Sequence, residues 1–105
     1  MIKFGCVVYY LIVAVLVSAQ GIVWNGNWAN ACDFRHGDLS NARTTAEQCR
    51  SKCESTSGCT HFTWTNFEGG TCWMKTGPVN KNDAFSTGNQ EMICGIVQGT
   101  GSGGK

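Results

Sequence analysis

Thr44–Met74 reads TTAEQCRSKCESTSGCTHFTWTNFEGGTCWM and holds four of the seven cysteines and two of the four tryptophans. Thr44 followed three residues later by Glu47 is a capping-box pattern, in which hydroxyl and carboxylate each satisfy a backbone N–H at the helix start. The helix it opens places Ala46, Cys49 and Cys53 on one face. Ser57-Gly58 supplies a left-handed stop. Cys59–Thr65 then switches to period two with β-branched and aromatic residues, the pattern of a strand. Asn66 to Gly70 reads as a turn and Thr71–Lys75 as a second strand. The unit is therefore helix, strand, turn, strand, with cysteines placed to tie helix to sheet.

Residues 1–19 are expected to leave as a secretion signal. Lys3 gives a positive start, Val7–Val17 is uninterruptedly apolar, and Val17-Ser18-Ala19 is a small-residue cleavage site. That run is too short for a membrane span, which needs about 20 residues. Cleavage leaves Gln20 first and one small domain behind it. Cys6 departs with the signal, so Cys32, Cys49, Cys53, Cys59, Cys72 and Cys94 remain. An even set of cysteines in a short exported chain reads as disulfides. The rival is zinc, since Cys49, Cys53 and Cys59 are loosely knuckle-like, but no well-spaced histidine completes a site. Many disulfide connectivities stay open on the residues alone.

Charge excludes more than it suggests. Without Lys3 the chain is formally neutral, its basic and acidic residues scattered without runs. No basic stripe is present to neutralise phosphates, so nucleic acid is not an expected partner. A domain this small buries a low fraction of its surface, and crosslinks are the natural remedy.

Around the central unit the signals are weaker. Ile22–Trp24 reads as the start of an edge strand, with Asn25-Gly26 as a turn. Trp24 and Trp28 suit either a ligand platform or a cover where the termini meet; for Trp28 the cover is the expectation. Arg35–Arg43 reads as a polar loop. Asp33, His36 and Asp38 match no calcium-loop spacing and are expected to serve turns. Phe62 and Trp64 share the core face of their strand, while His61 faces the other way as an ordinary polar residue. Thr76–Ser86 reads as a loop broken by Gly77-Pro78 and anchored by Phe85. Glu91–Val97 is the last strand, with Met92, Cys94 and Ile96 on one face. Residues 98–105 form a Gly/Ser-rich tail of the linker type.

The cysteine-and-aromatic pattern resembles the PAN/apple domain family. The resemblance runs roughly from Trp24 to Val97. It rests on Cys49-x3-Cys53-x5-Cys59-Thr-His-Phe-Thr-Trp64, on Gly70-Thr-Cys72-Trp-Met-Lys75, and on the run Asn27–Phe34. It implies an α+β fold over 20–97, a curved antiparallel sheet cradling one helix and stapled by disulfides. It also implies the pairs Cys49–Cys72, Cys53–Cys59 and Cys32–Cys94. Members of the family are binding modules for proteins or carbohydrates without catalytic machinery of their own.

Function follows from the same residues. If the six cysteines are all paired, no thiol remains as a nucleophile, and neither histidine sits in a recognised catalytic motif. No catalytic residue, metal or cofactor is expected. The leading expectation is an extracellular binding module for carbohydrate, a polysaccharide or the glycan of a glycoprotein. Tryptophan rings stack on the apolar faces of sugars while Asn, Asp and Thr supply directed hydrogen bonds. The alternatives are a protein-binding surface with Trp anchors, or an effector or inhibitor presenting the Asn66–Gly70 loop. Strand alternation puts Trp73 and Lys75 on the face away from the helix. With Asn66, Phe67 and Trp24 they make the candidate ligand surface. The contrary outcome is that Trp73 packs under the N-terminal strand and the surface is inert.

Overall fold

The computed structural model describes residues 21–97, so the signal and tail readings lie outside it. Helix α1 spans Ala46–Glu54 and turns Cys49 and Cys53 inward. Its N-cap is Thr45, whose hydroxyl accepts from the Gln48 N–H. The N-cap expected at Thr44, with Glu47 as its reciprocal partner, therefore falls one residue later. The reason lies in the sheet: the Thr44 N–H is spent on the Gly70 carbonyl at 3.1 Å, and its hydroxyl donates to Gln48 Oε1 at 2.8 Å. Thr45 is the first residue free to cap.

The strands are β1 (Trp24–Asn25), β2 (Trp28–Asn30), β3 (Cys32–Phe34), β4 (Asp38–Arg43), β5 (Cys59–Thr65), β6 (Thr71–Thr76), β7 (Ala84–Ser86) and β8 (Ile93–Ile96). Six of them form one sheet in the order β1-β2-β8-β5-β6-β4, and β3 pairs with β7 in a separate ribbon. Every pairing is antiparallel. One-turn 3-10 helices occupy Phe67–Gly69 and Lys81–Asp83.

Three segments differ from expectation. Arg35–Arg43, read as a loop, contains the edge strand β4, whose cross-strand partner is β6. Its side chains are almost all exposed, which is why no hydrophobic alternation marks it. Thr76–Ser86, also read as a loop, carries a 3-10 turn and β7; Phe85 is half-buried there, with the Arg35 guanidinium 4.1 Å from its ring centre. The outer strands are shorter than read, β1 beginning at Trp24 and β8 ending at Ile96.

The sheet is covered on both faces. On one face α1 packs over Phe62, Cys72 and Met74, with Trp64 and Ile93 at the margin. On the other, Cys94 and Ile96 meet Cys32, Phe34 and Val79 of the ribbon and its connecting loop. Burying a side chain such as Phe62 stabilises by about 1.5–3 kcal/mol. Two-sided burial overturns the reading of His61 as an ordinary polar strand residue. It is buried, edge-on to Phe34 with ring centres 4.7 Å apart. Trp28 departs in the opposite sense, remaining 38% exposed on β2, between β1 and β8, where a core cover was expected.

Three disulfides fasten these layers. Cys49–Cys72 joins α1 to β6, Cys53–Cys59 joins the end of α1 to β5, and Cys32–Cys94 joins the ribbon to β8. The last closes a separation of 62 residues, for which chain entropy alone gives about 4 kcal/mol.

Candidate functional site

The face of β5 and β6 turned away from α1 is only partly roofed by the ribbon. Thr63 of β5 lies opposite Trp73 of β6, and His61 lies opposite Lys75. Where the ribbon ends, Asp33, Asp38, Thr63, Thr65, Phe67, Trp73 and Lys75 enclose a groove of about 360 Å³. That volume falls at the lower end of the roughly 300–1,000 Å³ typical of small-molecule sites.

The aromatic wall is built by one hydroxyl. Thr65 Oγ1 accepts from Trp73 Nε1 at 2.9 Å and from the Phe67 N–H at 3.3 Å, holding the indole and the following turn together. The Phe67 and Trp73 rings stand 5.8 Å apart, tilted by 47°. The turn is locked from below: the Thr71 hydroxyl donates to the Phe67 carbonyl, and Gly70 N–H donates to the same oxygen. Glu68 takes a left-handed conformation at φ 50° and forms an ion pair with Arg43. The result is an exposed Phe67 beside a half-buried Trp73, a pair that presents ring surface without collapsing into the core.

The polar wall is ionic. Lys75 Nζ donates to Asp38 Oδ1 at 2.8 Å. The lysine side chain is only 8% exposed, whereas that of Asp38 is 87% exposed. The hydrogen bond from Lys75 and its charge hold the Asp38 carboxyl below the ordinary carboxylate value. Asp33 Oδ1 accepts from the Thr63 hydroxyl at 2.6 Å and from the Phe34 N–H at 2.7 Å. Carboxylates, hydroxyl and ammonium thus meet an aromatic wall within one depression.

Of the residues singled out in the sequence, Trp73, Phe67 and Lys75 come together here. Lys75 is buried and paired where a solvent-facing edge was expected. Asn66 is exposed beside the turn, its amide donating to Glu91 rather than lining the groove. Trp24 does not join them. It is half-buried against the ribbon-side core, with Lys81 Nζ 5.4 Å from its ring centre. Sequence reasoning missed Asp33, Asp38, Thr63 and Thr65 as groove residues. Alternation would have found Thr63 and Thr65, since both lie opposite Phe62 on their strand. Asp33 and Asp38 reach the groove only through the ribbon and the edge strand, which carried no sequence signal.

Two other depressions are less suited to a polar ligand or less organised. One, of about 300 Å³ beside α1, is lined by Trp28, Phe62, Ile93, Ala46, Glu47 and Arg50 and is mainly apolar. The other, of about 550 Å³, includes His36, His61, Arg35 and Asp83 around the Gly77-Pro78 loop. Among the described residues no group of three or more His, Cys, Asp or Glu is arranged to hold a metal ion. Nor is any helix among them long and apolar enough to cross a membrane.

A family model described as PAN domain matches residues 30–75, from β2 through nearly all of β6. No curated protein and no solved structure matches the chain.

Proposed function

The chain belongs to the PAN/apple domain family, and from that premise we propose that it is an extracellular module that binds carbohydrate through the Trp73–Phe67 groove. At the level of the family, PAN domains are generally non-catalytic modules that bind proteins or carbohydrates. The observation that carries the finer reading is the groove's composition. The rings of Trp73 and Phe67 line one depression together with Asp33, Asp38 and Lys75. Aromatic faces take the C–H surface of a sugar ring, and fixed polar groups take its hydroxyls. Affinity at one such site is expected to be weak, with avidity arising if the module is linked to others.

Three disulfides suit an oxidising compartment. The reading includes removal of residues 1–19 on secretion, leaving Gln20 first. Intact-mass analysis of secreted protein tests that part, and retention of Met1–Ala19 would overturn it.

A glycan array run beside a pull-down from extracellular fluid tests the function. Glycan binding by the wild type that Trp73→Ala abolishes without loss of fold supports the reading. Capture of proteins stripped of glycans, with no array signal, would replace it with a protein-binding module.

A further inference from the structure

Resting on the groove reading above, the geometry points to a neutral, hydroxyl-rich sugar ring as the ligand, with sulfated and uronic-acid sugars disfavoured. The inference comes from the groove's unfilled hydrogen-bonding groups and its charge. Thr65 Oγ1 already accepts from Trp73 Nε1 and the Phe67 N–H, so what it has left to offer is its own proton. Lys75 Nζ gives one of its three protons to Asp38, leaving two donors in a largely buried ammonium. Against these donors stand acceptors. Asp33 and Asp38 each receive their hydrogen bonds on Oδ1, and among the described residues Oδ2 of neither is engaged.

A ligand that fills this site must both donate and accept at neighbouring positions, which is what adjacent hydroxyls on a sugar ring do. A sulfate or carboxylate only accepts. It would satisfy Lys75 and Thr65 and confront the carboxylates unpaired. Charge acts in the same direction. The ammonium of Lys75 is matched by Asp38, so Asp33 leaves the groove with a surplus negative charge. An anionic sugar ring resting on Trp73 meets that charge at close range, in a site partly shielded from solvent.

Titration of the wild-type protein with a neutral hexose-based oligosaccharide panel and with size-matched sulfated heparin-type oligosaccharides tests the inference, read by Trp fluorescence and calorimetry. The expected result is at least tenfold tighter binding of one or more neutral probes, lost in Trp73→Ala. Asp33→Asn, with folding checked by circular dichroism, is expected to narrow the gap by improving sulfated-probe binding; a folded variant whose gap is unchanged would count against the charge selection. Raising ionic strength should narrow the gap in the wild type, independently of any variant, because screening weakens the repulsion. Equal or tighter binding of the sulfated probes that still depends on Trp73 would overturn the charge selection and leave the groove reading standing. Absence of binding by either class, or binding indifferent to Trp73→Ala, would overturn both.

Discussion

The ring of Phe62 lies across Gly95 on the neighbouring strand, so close that a Cβ at position 95 would stand 2.5 Å from Phe62 Cζ. The two residues are paired in the β5–β8 register. Phe62 therefore fills the space that a side chain on β8 would take, and it brings the buried ring under α1. Gly95 is required for close approach rather than for an unusual backbone angle. Gly95→Ala should cost about 1–3 kcal/mol, the usual penalty of overpacking. Chemical denaturation of the oxidised protein measures it. An unchanged unfolding midpoint would show that the ring relaxes freely.

Lys75 and Asp38 form an ion pair with unequal halves. Asp38 is exposed and rehydrates fully if it loses its partner; Lys75 is largely buried, and its ammonium meets water only through the groove. Asp38→Ala should therefore destabilise more than Lys75→Met, by about 1–3 kcal/mol for a buried donor left unsatisfied. Lys75→Met keeps most of the buried volume and should be close to neutral. Parallel thermal melts of the two variants decide the order, and a larger loss for Lys75→Met would contradict it.

Stability should fall with pH below about 6.5, the ordinary value for a histidine. Burial of His61 disfavours its charged form, and the neighbouring Lys75 adds to that effect. The His36 carbonyl and Asp83 act in the opposite sense but do not reverse it. The folded-state value is thus depressed, so the unfolded chain binds the proton more readily as pH drops. The stabilisation is full above the unfolded value and is lost as pH falls through the folded one. Melting temperatures across mildly acidic pH should decline in the wild type and flatten in His61→Gln. An equal slope in both would assign the dependence elsewhere.

The central helix, β5 and β6 were legible because each carries its own periodicity: cysteines spaced along one helix face, then strict alternation from Cys59. The edge strand β4 was not, because Asp38–Arg43 buries almost nothing and is a strand only by virtue of pairing with β6. The same cause hid half of the groove. Trp73, Phe67 and Lys75 were marked by side-chain type and strand parity. Asp33 and Asp38 looked like turn residues until the ribbon and edge strand brought them beside Trp73. Trp24 was misplaced for a related reason: its hairpin is set by pairing with Trp28 and Ala29, and the ring falls against the ribbon-side core. His61 shows the limit of alternation, which separates two faces but does not say that both are covered.

Binding through the Trp73 groove is tested most directly by amide and indole NMR shifts of the oxidised protein during titration with an array-positive neutral oligosaccharide. The expected perturbations centre on the Trp73 indole N–H, whose bond to Thr65 Oγ1 a stacked sugar would disturb, and on Thr63, Thr65 and Phe67. Residues of the apolar depression beside α1, such as Trp28 and Arg50, should stay unmoved. Shifts confined to Trp28, Arg50 and Ile93, with the Trp73 indole unchanged, would contradict the assignment.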